Sequence, residues 1–334
     1  MIRNRVGNTD LLVSGISLGA LHFGVYLDEK KSLDLLSLAS ELDINFIDTG
    51  PLYGNGNSEK IVGKYIHNKR SSFIISTKVG LDKVSRDDGT FGVRIRKLTR
   101  NNITKSLNES LATLNTDYID ILQLHAYDPE TSLEESVDVL EYLVRDGKIR
   151  TYGVSNYNTD QLKELLSILN KNDYKNLSCI ESHYNLIERM IELSLLPLIS
   201  AANISLIPYR SLARGVLSGK YINGLIPEQS RAFDSWRVKN TLTEEVGVLV
   251  KTLSEEIKDK YGRSILDLAV AWLLAREEIP TVLVGCRDKQ QLVENIEASK
   301  WVLSADILDC VDAVISRLGY KELVQNSPKI YFEQ

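Results

Sequence analysis

Eight short apolar runs recur along the chain, each followed by a longer stretch with helical spacing. They are "ISLGA" (16–20), "NFIDT" (45–49), "FIISTK" (73–78), "DILQLH" (120–125), "TYGVSN" (151–156), "CIESHY" (179–184), "SLIPYR" (205–210) and "TVLVGC" (281–286). Several lack the polar alternation of a half-exposed strand, as expected for parallel strands covered on both faces. Between them, 30–42 spreads Leu33, Leu36, Leu38 and Leu42 over one broad side. Segment 99–114 opens on Thr99, a candidate N-cap, and repeats apolar residues at Ile103, Leu107, Leu111 and Leu114. Segment 132–148 ends at Gly147, a favoured residue just past a helix.

Strand–helix repetition of this kind closes into a (β/α)8 TIM barrel, an α/β fold. An open doubly wound sheet is the rival. It often announces itself by a Gly-rich first turn, but "ISLGALHFG" carries no GxGxxG. The reading is one barrel domain over 1–334, with an N-terminal β-hairpin at 2–14 and the barrel at 16–300. A C-terminal helix and tail follow at 301–334, the tail ending in "NSPKIYFEQ". Two helices exceed the eightfold repeat, near 242–260 and 304–317. The run around Trp272 reads as helix core.

Formal net charge is −5, which argues against a dedicated nucleic-acid or anionic-membrane binder. No apolar run is long enough to span a bilayer, and the N-terminus lacks the apolar region of a signal peptide. Cys179, Cys286 and Cys310 are scattered without metal-ligand spacing. They read as reduced thiols in a cytoplasmic protein that holds no metal.

The run 45–49 contains Asp48, and Tyr53 follows in the loop "GPLYGNG". Lys78 ends the third run and His125 the fourth. In an α/β barrel, chemistry is assembled at the C-terminal ends of the strands, so these four side chains are expected at one mouth. A phenol, with an ordinary pKa of about 10, is a poor proton donor or acceptor near neutrality. A neighbouring ammonium favours the phenolate and acidifies it. A carboxylate keeps the ammonium charged, and an imidazole can hold a carbonyl oxygen. Asp48, Tyr53, Lys78 and His125 thus form a proton relay suited to interconverting C=O and CH–OH. The hydride must come from a cofactor.

"DTGPLYGNGNSEKIVGK", "STK", "LQLH", "GKIRTYGVSNYN", "SHYNLIER", "LARGVLSGKY" and "GCRDKQQLVEN", in that order, resemble the aldo-keto reductase superfamily. The resemblance implies a (β/α)8 barrel that binds a nicotinamide cofactor. It implies Tyr53 as general acid/base, tuned by Lys78 and Asp48, with His125 orienting the carbonyl. Ser155 and Asn156 would bond the nicotinamide carboxamide, beside Glu181, and Tyr209 would stack under the ring. Arg210, Ser211, Leu212 and Arg214 would pass over the pyrophosphate, with Lys220 and Arg231 as further phosphate candidates. Gly285, Arg287, Gln291, Glu294 and Asn295 would clamp the adenosine half, with Asp288 capping the helix that begins there.

Glu181 stands where the family usually has Gln, and Arg210 departs from its usual Tyr-Ser-Pro-Leu loop. Arg287 suits the 2′-phosphate of NADP(H), whereas Gln291 replaces an Arg common in NADP-preferring relatives. "TVLVG" resembles NAD-using sugar dehydrogenases. The expectation is NADP(H) ahead of NAD(H). His22, Phe23, Tyr26, Tyr127 and Trp236 are candidates for the substrate pocket, and His183 falls on the same rim by position alone. The expected partner is a small polar carbonyl compound or sugar, with no nucleic acid and no membrane; oligomeric state stays open. The alternatives are a sugar 1-dehydrogenase running oxidatively and a cofactor-binding regulatory subunit.

Overall fold

Each of the eight apolar runs supplies one strand of a single parallel sheet. The computed structural model describes residues 3–85, 91–222, 224, 226 and 236–319, the side chains of 91, 236 and 237 excepted. The strands are β1 (Ile16–Gly19), β2 (Phe46–Asp48), β3 (Ile74–Val79), β4 (Ile119–Leu124), β5 (Ile149–Ser155), β6 (Leu177–His183), β7 (Ser205–Tyr209) and β8 (Val282–Val284). Their order is β7-β6-β5-β4-β3-β2-β1-β8. Across the remaining seam, Ser211 Oγ donates to Leu283 O at 2.9 Å and Leu206 N to Glu278 O at 2.8 Å. The result is a (β/α)8 barrel. Every residue of β3 and β4 is buried, which explains why their sequences show no alternation.

The helices are α1 (Glu29–Glu41), α2 (Asn57–Ile66), α3 (Arg100–Leu114), α4 (Leu133–Arg145), α5 (Thr159–Asn172), α6 (Leu195–Ala201), α7 (Trp236–Thr241), α8 (Glu244–Tyr261), α9 (Ile265–Leu274), α10 (Lys289–Ala298) and α11 (Ala305–Arg317). Local chemistry sets their ends. Thr99 caps α3 by accepting from Asn102 N, and Asp288 caps α10 by accepting from Gln291 N. Gly147, just past α4, takes φ +72°, a conformation costly to any residue with a Cβ. The two additional helices read from the sequence are α8 and α11, and Trp272 is buried in α9.

Period two along each strand divides the core. Phe46, Ile74, Ile121, Cys179 and Ile207 point into the barrel. The hairpin of Arg3–Arg5 and Leu12–Ser14 closes that end, burying Val6, Leu11 and Val13 against them. Two residues further along the same inward faces stand Asp48, Ser76, Gln123 and Glu181, and Lys78 follows Ser76. Register aligns their strands: Asp48 pairs with Ser76, Lys78 with Gln123, and Glu181 with Ser155. The apolar floor therefore gives way to a polar layer at the C-terminal end.

Two elements differ from expectation. A second hairpin, Leu81–Ser85 with Phe91–Ile95, follows β3. Its second strand alternates Phe91, Val93 and Ile95 with Gly92 and Arg94, a half-exposed strand pattern that falls outside the eight runs. Trp236, a pocket candidate by sequence, opens the short helix Trp236–Thr241, which the eightfold repeat does not call for. Arg231 and the tail lie outside the described residues. Among those residues no helix is long and apolar enough to cross a membrane.

Gly63 brings α2 onto the last turn of α3, where a Cβ would stand 2.5 Å from Leu114 O. Gly63→Ala must push the helices apart. The expected cost is about 1–3 kcal/mol, read as a lower urea midpoint at unchanged m-value.

Candidate active site

Lys78 is fully buried, and its ammonium is the centre of the polar layer. It donates to Asp48 Oδ1 at 2.5 Å and Oδ2 at 2.6 Å, and lies 3.2 Å from Glu181 Oε2. Gln123 Nε2 donates to Glu181 Oε2 at 2.7 Å and to Ser76 Oγ at 2.8 Å. Burial opposes the charge on Lys78, but Asp48 and Glu181 outweigh it and hold the ammonium well above the usual lysine range. Burial, and then the Glu181 carboxylate, push the Asp48 carboxyl up to about 7 against the pull of Lys78.

Above this cluster stand two rings. Tyr53 opens a 3-10 turn, Tyr53–Gly56, just after β2. Lys78 Nζ lies 5.2 Å from the centre of its ring. The His125 imidazole is edge-on to Tyr53, with centroids 6.4 Å apart. His125 N donates to Val79 O at 2.8 Å, which extends the ladder beyond β4 and anchors the ring at the mouth. Both rings are partly accessible, yet burial governs their ionisation. Burial and the Lys78 ammonium push the imidazole down to about 3, so it is neutral at physiological pH. Burial raises the Tyr53 phenol above the tyrosine range, and Lys78 only offsets part of this. The expected net acidification of the phenol is thereby corrected: it is a protonated donor. Two neutral groups over a buried ion cluster can hydrogen-bond one oxygen and pass it a proton.

Asn156, at φ +63°, ties the next strand ends together. Its Nδ2 donates to His125 O at 3.0 Å and Ser155 Oγ at 2.9 Å, and its Oδ1 accepts from Tyr209 OH at 2.6 Å. His183 stacks on Tyr209 at 5.6 Å and is hydrogen-bonded to Glu188 Oε2 at 2.6 Å. Glu188 lies 3.7 Å from Arg214. A groove of about 250 Å³ beside Tyr209 is lined by Asn156, Ser182, His183, Met190 and Leu195. In the loop after β7, Arg210, Ala213, Arg214 and Gly215 all have positive φ, which coils the chain tightly. The Ser211 hydroxyl donates to Pro208 O at 3.0 Å and to Leu283 O at 2.9 Å, across the barrel seam. Leu212 is partly buried, and Lys220 is exposed above the Tyr221 ring.

A third cluster lies at the end of β8. The Arg287 guanidinium stacks over Tyr26 at 4.8 Å, and Tyr26 meets His22 edge-on at 5.3 Å. A Cβ on Gly285 would come 3.4 Å from His22 Nε2. Arg287 N donates to Gln291 Oε1 at 3.0 Å, and Asn295 Nδ2 to Gln291 O at 2.6 Å. Arg287 Nε is buried with no hydrogen-bond partner among the described residues. Glu294 is exposed and pairs along α10 with Gln290.

The pocket candidates divide. His22 is buried beneath exposed Tyr26, whereas Phe23 is fully buried in the core and does not line the mouth. Tyr127 OH donates to Glu164 Oε2 on α5 at 3.1 Å. The side chain of Trp236 lies outside the described residues. Sequence reasoning missed Ser76 and Gln123, although the inward parity of Lys78 and Ile121 identifies both. It also missed the His183–Glu188 pair, which no spacing announces.

Lys78→Met would leave two carboxylates buried without a cation. The expected loss is about 3–5 kcal/mol near pH 8. Carboxyls raised in the folded state stabilise it when protonated and cease to do so as pH rises through the folded value. The loss should therefore shrink toward pH 6. Urea unfolding at the two pH values checks this, and an equal loss at both rules out an electrostatic origin.

Residues 15–316 match the Aldo/keto reductase family. Aldo-keto reductase YhdN from Bacillus subtilis (strain 168) is 34% identical over 309 residues, covering 90% of this chain and 89% of that protein. A probable voltage-gated potassium channel subunit beta from Oryza sativa subsp. japonica is 31% identical over 320 residues, covering 93% and 95%. The structure of glycerol dehydrogenase AKR11B4 from Gluconobacter oxydans superposes with a TM-score of 0.81 at 28% identity, covering 99% of each chain. With the barrel in place, these matches make the chain a member of the aldo/keto reductase family of NAD(P)-dependent oxidoreductases.

Proposed function

We propose that this chain interconverts a small polar aldehyde, ketone or sugar and the corresponding alcohol, with Tyr53 as general acid/base. The observation that carries the reading is the convergence of Tyr53 and His125 above the Lys78–Asp48 ion pair. His125, neutral, orients the carbonyl oxygen, and Tyr53 gives it a proton. Lys78 stabilises the phenolate left behind, and Asp48 holds Lys78 in place. In the opposite direction the same groups take the proton from the alcohol.

The bound nicotinamide supplies or accepts the hydride. The residues fit such a group. Ser155 and Asn156 offer polar atoms for its carboxamide, and Tyr209 offers a flat face held by its bond to Asn156. Arg210, Leu212 and Arg214 line the loop for the pyrophosphate, and Lys220 adds positive charge. Gly285, Arg287, Gln291, Glu294 and Asn295 flank the adenosine half. The unpartnered Arg287 Nε supports a phosphate there, and so NADP(H) before NAD(H).

The similarity to a glycerol dehydrogenase supports an oxidative variant acting on a polyol or sugar. The similarity to a channel β subunit supports a regulatory variant that binds nucleotide without physiological turnover. NADPH oxidation with simple aldehydes, against NAD+ or NADP+ reduction with glycerol and free aldoses, separates the directions. Tight nucleotide binding with no turnover in any of these favours the regulatory role.

Tyr53→Phe is expected to lower turnover by about 10²–10⁴-fold while nucleotide binding survives; unchanged turnover refutes the assignment. Arg287→Ala should weaken NADPH binding on the order of tenfold and NADH binding much less. Equal losses in a fluorescence titration would exclude Arg287 as the phosphate reader.

A further inference from the structure

We propose that Glu181, as a second carboxylate on the Lys78 ammonium, gives the floor of the site a net negative charge and makes the chain prefer the oxidised, cationic nicotinamide over the reduced ring. The inference rests on the nucleotide reading above and deepens it. Glu181 is an inward residue of β6 and is only 4% exposed. Its Oε2 is 3.2 Å from Lys78 Nζ and accepts from Gln123 Nε2 at 2.7 Å. It is in register with Ser155, and its backbone carbonyl accepts from Asn156 N at 3.0 Å. Both residues assigned to the carboxamide therefore adjoin Glu181, Ser155 as its cross-strand neighbour and Asn156 through the backbone. With Asp48 and Glu181 ionised, one ammonium faces two carboxylates and one negative charge is left over. A glutamine at this place would leave the cluster neutral. Buried charges are poorly screened, so the surplus acts on whatever lies above it. A cationic ring gains from it, and a neutral dihydro ring does not.

The surplus is itself conditional on pH. The groups acting on Glu181 or acted on by it are Lys78, Asp48 and Gln123, with Tyr53, Tyr209 and Cys179 around them. Burial raises both phenols above their usual range and pushes the Cys179 thiol up to about 12. His125 is already neutral. Near neutrality the cluster therefore gains or loses its proton on the Asp48 carboxyl, which burial and the Glu181 carboxylate push up to about 7. Below that point it is neutral; above it the negative charge is present, and the oxidised ring is favoured.

The test is direct calorimetric binding of NADP+ and NADPH, and of NAD+ and NADH, at about pH 6 and about pH 8. The quantity read is the ratio of the reduced to the oxidised dissociation constant, in which titration of the nucleotide's own phosphates cancels. In the wild type the ratio is expected to rise with pH. Glu181→Gln should lower it on the order of tenfold near pH 8 and remove its pH dependence. A purely structural Glu181 would weaken both forms alike. A ratio that is flat with pH in the wild type, or equal in both proteins, overturns the proposal and leaves the nucleotide reading standing. Should Glu181→Gln fail to fold, as judged by circular dichroism, the wild-type pH series decides alone. Binding of neither form by the wild type overturns the nucleotide reading and this inference with it.

Discussion

An ammonium sealed from water is tolerable only with carboxylates and hydrogen bonds around it. Lys78 meets that condition through Asp48 and Glu181, and each of these is fixed by its own strand. Parallel pairing of β2, β3 and β4, with β6 opposite, is what lets three charges from three strands meet at one point. The arrangement then dictates the rings above it. Burial, aided by the same cation that steadies the floor, keeps the His125 imidazole neutral, and that cation partly offsets the rise in the Tyr53 phenol. The mouth thus separates charge below from neutral hydrogen-bonding groups above.

Much of this was legible in the residues because strands leave a strong record. A run buried on both faces, such as "IISTKV", can hardly be anything but an interior strand when helices of regular spacing flank it. The strand ends then locate Asp48, Tyr53, Lys78 and His125. The N-caps at Thr99 and Asp288 were equally readable, since the cap is a local hydrogen bond between neighbours in sequence.

What escaped depends on contacts between distant residues. The hairpin after β3 interrupts the strand–helix repeat, and its alternation of Phe91, Val93 and Ile95 does not name the partner strand at Leu81–Ser85. Phe23 looks like a rim aromatic from its place after β1, but the chain turns it inward to the core. The state of the Tyr53 phenol is a balance between desolvation and a neighbouring cation, and only depth in the fold decides that balance. Arg287 stacking on Tyr26 joins the first and last strands of the barrel across most of the sequence.

The hairpin beneath the barrel has a consequence for traffic. Val6, Leu11 and Val13 stopper that end with hydrocarbon beneath a packed apolar floor, so the polar layer has no route out through the bottom. Molecules and protons bound for Lys78 must enter and leave past the loops of the opposite rim. Selectivity can then be rewritten in those loops alone, while the stopper underneath stays as it is.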